Sequence, residues 1–185
     1  MPLSGSSWVS KFPTSIDVND LVPPFRDNVK LFLAALNAAG ASVTINATYR
    51  PAERAFLMAY AWSIAREGLS PARVPANAAI DIDWVHRYKN GRINYTASRQ
   101  AAEDMVQVYD IAFKPALSSQ HTRRLAIDIT VGWEGDLVII NAQGQKITIK
   151  SEPRSGENPD LIAVGASYKV IKLVSDPPHW SVDGH

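Results

Sequence analysis

The apolar residues Phe25, Val29, Phe32, Leu33 and Leu36 recur at three- and four-residue intervals, which places them on one face of a helix over 25–39. Gly40 supplies its stop. Val43 and Ile45 then alternate with polar neighbours, predicting a strand over 41–48. Pro51 suits the first turn of a second helix, which runs to about Glu67 and ends at Gly68. A third helical period, through Ala101, Met105, Val108, Tyr109 and Ala112, covers 96–113 with Pro115 just beyond. After that the period falls to two. Leu125, Ile127, Ile129 and Val131 alternate with Arg124, Ala126, Asp128 and Thr130, the pattern of a half-buried strand. Residues 137–141 and 146–150 flank Gln143-Gly144 and predict a hairpin. A short helix near 160–168 and a last strand over 170–174 complete the chain. The predicted class is α+β, with helices in the first two thirds and an antiparallel sheet in the last third.

Two stretches lack either period. Residues 1–24 are rich in Ser and Pro and end in Val22-Pro23-Pro24, which reads as an arm with little structure of its own. Residues 69–95 carry Pro71, Pro75 and Asn90-Gly91, the signals of a loop-rich lobe or a lid. The total of 185 residues suggests one domain, 25–185, behind that arm.

Composition narrows the chemistry. A 46% apolar and 20% charged chain is globular, neither disordered nor fibrous. Nineteen basic residues against eighteen acidic ones give no excess that would point to nucleic acid or an anionic membrane. The absence of cysteine excludes disulfides, thiol catalysis and thiolate-bound metals, leaving histidines and carboxylates as the strong ligands. The first fifteen residues do not read as a secretory signal, and no run of about 18 apolar residues occurs. Synthesis in the cytoplasm without stable membrane insertion is expected, with any action outside requiring another protein.

Four histidines remain: His86, His121, His179 and His185. Alternation turns Asp128 away from the aliphatic face, with the small Ala126 beside it, and His121 precedes the strand closely enough to fold back toward that face. A loop histidine and a solvated carboxylate are the plainer alternative. In Asp176-Pro177-Pro178-His179-Trp180 the prolines favour an extended, polyproline-like backbone of about three residues per turn, which would project Asp176 and His179 from one side. The plainer alternative there is a proline-rich turn with Trp180 plugging the core. Together the clusters offer His, Asp and His as ligands and a second Asp as base. Zinc in hydrolases is commonly held by three such ligands, with a water in the open position. Asp81-x-Asp83-x-x-His86 is a rival constellation, better read as a solvated loop or part of a substrate lobe. His185 reads as frayed. Trp62, Trp84, Tyr88 and Trp133 read as core or rim, although Trp84 and Tyr88 are placed to stack on glycan.

Ser119-x-His121-x6-Asp128, with Ala126 two before the aspartate, followed by Asp176-x-x-His179, resembles the metallopeptidase family of D-Ala-D-Ala carboxypeptidases, VanX-type dipeptidases and phage L-alanyl-D-glutamate endolysins. Tyr49-Arg50-Pro51 is similar to the context of that family's upstream arginine. The three motifs span roughly residues 40–182. The resemblance implies a hedgehog/DD-peptidase-like fold, Zn²⁺ held by His121, Asp128 and His179, and Asp176 as general base. It implies that Arg50 binds a substrate carboxylate or steadies an oxyanion, with Tyr49 beside it. Ser119 would orient the His121 loop or a substrate group, and Trp180 would pack beneath the imidazole or line a groove. Two positions depart from the pattern. Arg124 stands where the family has glycine, and the base is Asp176 where many members have glutamate, a choice associated with the endolysin branch.

The expected function is therefore a zinc metallopeptidase cleaving amide bonds in peptidoglycan stem peptides. It would act as a bacteriolytic, monomeric, phage-type endolysin, with no nucleic-acid partner. A cytoplasmic D-Ala-D-Ala dipeptidase or carboxypeptidase, a noncatalytic wall-binding or phage structural module, and an unrelated α+β domain are the competing readings.

Overall fold

In the computed structural model, which describes residues 1–185, the helical periods become α1 (Phe25–Ala38), α2 (Ala52–Arg66), α3 (Tyr95–Val108) and α4 (Pro159–Ser167). The alternating segments become β1 (Ser42–Ala47) and β2 (Ala126–Gly132), and the hairpin becomes β3 (Leu137–Ile140) and β4 (Lys146–Ile149). Two short strands follow, β5 (Ile171–Lys172) and β6 (His179–Ser181). The protein is mixed α+β, with a four-stranded antiparallel sheet in the order β1-β2-β6-β5 and the β3–β4 hairpin as a separate pair.

Some boundaries differ from the predicted ones. The third helix stops at Val108, five residues early, because Asp110 takes the left-handed conformation (φ 55°). The N–H of Ile111 then bonds Val106 O and that of Asp110 bonds Gln107 O, each at 3.1 Å, the pairing that closes a helix. The last predicted strand shrinks to two residues, and β6 appears where a polyproline segment was expected.

Read from its length as one domain behind an arm, the chain divides by its own contacts into two compact units. One comprises Met1–Pro13 and Pro51–Ser118, the other Thr14–Arg50 and Ser119–His185. In the first, α2 and α3 close over Trp8, Leu57, Ile64, Trp84 and Met105. The N-terminal stretch is therefore no loose arm. Trp8 is buried and its Nε1 donates to Leu3 O at 3.0 Å, while Leu3 bridges Asp83. The 69–95 segment contributes Ile80, Ile82 and Trp84 to this core.

The second unit holds α1, α4 and all six strands around Phe25, Phe32, Ile127, Ile129, Val131 and Trp180. Gly165 of α4 permits close packing there, since a Cβ would stand 2.5 Å from Trp180 Cζ3. A one-residue slip of β2 would expose Ile127, Ile129 and Val131, at roughly 1.5–3 kcal/mol each. That cost holds the register, and the register turns Asp128 outward.

Candidate metal centre

Strand β6 pairs with β2 so that His179 lies directly opposite Asp128 and Trp180 opposite Ile127. Alternation then sends Trp180 into the core and His179 to the side of Asp128. His179 Nδ1 stands 3.0 Å from Asp128 Oδ1. His121 arrives from the turn before β2, which is closed at both ends. At its start the Ser119 N–H donates to Thr122 Oγ1 at 2.9 Å and the Thr122 hydroxyl donates to Ser119 O at 2.8 Å. At its end the Leu125 N–H bonds Gln120 O at 2.8 Å and the Arg124 N–H bonds His121 O at 3.2 Å. The turn delivers His121 Nε2 to 3.0 Å from Asp128 Oδ1 and 3.1 Å from His179 Nδ1.

These three atoms form a nearly equilateral triangle, and the hydrogen bonds behind them reveal its chemistry. His121 Nδ1 lies 2.7 Å from Thr48 O, and His179 Nε2 lies 3.1 Å from His185 O. A carbonyl only accepts, so each ring points its N–H outward and, when neutral, its lone pair inward. With both rings neutral, two lone pairs and a carboxylate oxygen converge with no donor between them. Such an arrangement requires a cation at its centre, either a proton or a metal ion. The edges of 3.0–3.1 Å fall slightly below the spacing of about 3.3 Å that bonds of ~2.0 Å impose at tetrahedral angles. His121 and His179 are buried at 4% and 7% exposure, while the Asp128 side chain keeps 18%, so the group could hold a metal ion and still be reached from outside. The outward bonds to Thr48 and His185 are the orienting contacts that metal-binding histidines require.

The same geometry sets the proton balance. Burial opposes charge on Asp128, but hydrogen bonds and charge from His121 and His179 outweigh it and hold the carboxyl well below the usual range. Burial also opposes charge on His179, and the bond to Asp128, with that carboxylate's charge, reverses it and raises the imidazole. A raised folded pKa stabilises the metal-free protein below the unfolded value of about 6.5 and loses that contribution as pH rises through the raised value. The lowered Asp128 value contributes above about pH 3.9 and is lost on acidification. Metal must displace the His179 proton. Zinc added near pH 6.5 should therefore release a proton, detectable by calorimetry in buffers of different ionisation enthalpy, and the zinc-induced rise in Tm should grow from pH 6 to 8. A pH-independent rise would remove His179 from the ligand set.

Arg124, which replaces a glycine of the resembled pattern, occupies the left-handed region at φ 64°. Its guanidinium sits 4.3 Å over the Tyr49 ring, an interaction worth about 0.5–1 kcal/mol against a strain of about 1 kcal/mol. Glycine relieves the strain and alanine does not, and both lose the stacking. Arg124→Gly should thus be about 1 kcal/mol more stable than Arg124→Ala in urea unfolding, and equal stabilities would discount the strain.

The remaining predicted residues divide. The Arg50 backbone joins the His121 turn, its N–H bonding His121 O at 3.3 Å. Its Nε is buried with no protein acceptor. Tyr49 supports Arg124, and Ser119 orients the His121 turn. Asp176 is exposed and close enough for its charge to act on His179, but the backbone beneath it is not polyproline. The His179 N–H bonds Asp176 O at 3.0 Å and closes a turn, since the two prolines fit a hairpin loop between β5 and β6. Trp180 is fully buried against Phe32, with ring centroids 5.4 Å apart, so it lines no groove. Ala126 is also fully buried.

The rival constellation does not assemble. His86 Nε2 contacts Ser4 Oγ and Ser4 O, each at 3.1 Å, Asp83 Oδ1 accepts from the Val85 N–H, and Asp81 is exposed. Trp84 is buried, and only Tyr88 of the two proposed glycan platforms is exposed.

Two partners had no sequence signal, because they are main-chain oxygens of residues whose type is immaterial. Thr48 O holds His121 from the end of β1. His185 O holds His179, and Ser181 brings it there, its Oγ accepting from the N–H groups of Gly184 and His185 at 2.8 and 3.0 Å. His185 is thus tied in place, where fraying was expected. No helix is long and apolar enough to cross a membrane. No protein-family model and no curated protein matches the chain, so its functional reading rests on the chemistry of these side chains.

Proposed function

We propose that this protein is a zinc-dependent peptidase that hydrolyses amide bonds in peptidoglycan stem peptides, in the manner of the phage-type endolysins its motifs resemble. The convergence of His121 Nε2, Asp128 Oδ1 and His179 Nδ1 with no donor between them carries the reading. Two imidazoles and one carboxylate in a three-cornered array suit Zn²⁺ with a position left open. Bound there, zinc would supply Lewis acidity and a water of pKa near about 7.

The chain's own groups do the rest. Asp176, exposed beside His179 on the β5–β6 loop, takes the proton from the attacking water and hands it to the leaving amine. Arg50, half-buried next to the His121 turn, gives its guanidinium to the substrate's carboxylate or to the oxygen on which charge develops. A guanidinium suits this task because it stays charged and donates in a fixed fork. Ser119 and the Arg124 closure keep the His121 turn rigid, so the ligands need not reorganise on binding.

Mass spectrometry of fragments released from purified peptidoglycan, with and without a chelator, tests the proposal. New peptide ends that vanish with chelator are expected, and they identify the bond. Zinc-loaded protein that releases nothing from several wall types would overturn the endolysin reading. Activity on free D-Ala-D-Ala alone would then favour the dipeptidase, and wall binding without cleavage the noncatalytic module.

A further inference from the structure

Lys172 of β5 is buried, at 6% exposure, in a strand where an aliphatic side chain would fill the same space. Its Nζ donates to Leu173 O at 2.9 Å, Asp176 O at 2.6 Å and His179 O at 3.3 Å. An ammonium carries three protons, and here each finds an acceptor. All three acceptors belong to the segment that leaves β5 and returns as β6. The loop has its own backbone bonds: Asp176 N–H to Leu173 O at 3.2 Å, His179 N–H to Asp176 O at 3.0 Å, Leu173 N–H to His179 O at 3.0 Å across its base, and Ile129 N–H of β2 to Pro178 O at 2.9 Å, but no one of these joins its start, middle and end. Lys172 instead ties the start, middle and end of the loop to one point, and that point is anchored 5.6 Å from the Trp180 ring in the core.

We propose that Lys172 is a positioning residue for the metal centre, its buried ammonium holding the Leu173–His179 loop in the geometry that delivers His179 Nδ1 to the ligand triangle and Asp176 beside it. The inference rests on the metal-binding reading of that triangle. The loop contains two prolines and an exposed Val174, and no apolar side chain between Val174 and Pro178 is buried to fix it otherwise. Packing therefore cannot replace the three bonds. Lysine fits because a compact ammonium on a long stem can reach three carbonyls converging from different directions, which a planar guanidinium cannot do.

Lys172→Met keeps the length and apolar stem but removes all three donors, and Lys172→Gln keeps two. With circular dichroism and core methyl spectra like those of the wild type, Lys172→Met should bind zinc about 10–100-fold more weakly, with Lys172→Gln in between. The visible spectrum of cobalt-loaded Lys172→Met should shift as the ligand geometry relaxes. Wild-type zinc affinity and an unchanged cobalt spectrum in Lys172→Met would overturn the inference. Should neither variant fold, the wild-type protein still decides. Three bonds should slow the exchange of the Lys172 ammonium protons enough for nitrogen-15 NMR to show them, and a freely exchanging ammonium would sink the proposal. Wild-type protein that binds no zinc would remove the metal centre and this inference together, whereas zinc binding without peptide cleavage would remove only the peptidase reading.

Discussion

His179→Ala is expected to lose zinc and peptidase activity together. The imidazole supplies one of three donors, and the two that remain, His121 Nε2 and Asp128 Oδ1 at 3.0 Å, make only a bidentate site. Removing a hydrogen-bond partner of a metal ligand already weakens affinity about 10–100-fold, and removing the ligand itself should cost more than that. The fold should survive, because the strand is held by its neighbour. Trp180, on the opposite face of β6, remains fully buried against Phe32, and the pairing of β6 with β2 is made by the backbone. The metal-free variant also loses the contact of His179 with Asp128, so its Tm without zinc should fall most at low pH, whereas its zinc-induced Tm shift should vanish at every pH. His86→Ala is the matched control, since that imidazole contacts only Ser4 in the other unit and its removal should leave zinc affinity unchanged. Competition against a chromophoric chelator measures both. A wild-type dissociation constant for His179→Ala would strike His179 from the ligand set.

The features legible in the sequence are those whose cause is local and repeated. Phe25, Val29, Phe32 and Leu36 state a helix because four residues agree on one face, and all four are buried. Ile127, Ile129 and Val131 likewise state a strand, and their agreement is what pointed Asp128 outward and toward a ligand role. His121 precedes the strand closely enough to fold back to that face, His179 stands out through the Asp176-Pro177-Pro178-His179 run, the resemblance implies their joint role, and the structure brings all three residues together. What escaped was set by pairing across the chain. β6 is three residues long and follows two prolines, so it has no period to read, and it is a strand only because β2 lies alongside. The same pairing decided the fate of Trp180. A polyproline backbone left its side chain free to line a groove, whereas a strand that sends His179 out must send Trp180 in. The N-terminal stretch differs from its expected form for a related reason, since Trp8-Val9 and Leu21-Val22 are short apolar pairs with no period to read, and Trp8 and Leu21 find their cores through contacts distant in sequence.

Lys172 shows the limit from the other side. Charge in a short strand ordinarily marks an exposed position, and its burial becomes sensible only once the three carbonyls of the following loop are seen. The orienting oxygens of Thr48 and His185 are still less visible, because any residue type supplies a carbonyl. The candidate ligands of this site are thus encoded in side-chain identity, and their aim is encoded in the backbone.

That division of labour makes Asp176→Asn the sharpest test of chemistry as distinct from binding. Asparagine matches aspartate in size, and the loop bonds at this position run through the backbone, from the Asp176 N–H to Leu173 O and from Asp176 O to the His179 N–H and the Lys172 ammonium. None of them depends on the side chain. The metal ligands are untouched, so zinc affinity should stay within about threefold of wild type, a small change beside the 10–100-fold cost of disturbing a ligand's orientation. Turnover should fall by about 10²–10⁴, the range general-base catalysis supplies, because an amide cannot take a proton from water at neutral pH. The loss should lie in kcat more than in KM, since in the proposed mechanism Arg50 holds the substrate's anionic group and Asp176 moves only the proton. If zinc-loaded Asp176→Asn turns over like the wild type, the base must be another group, and the exposed Glu157, whose charge also reaches Lys172, is the next carboxylate to replace.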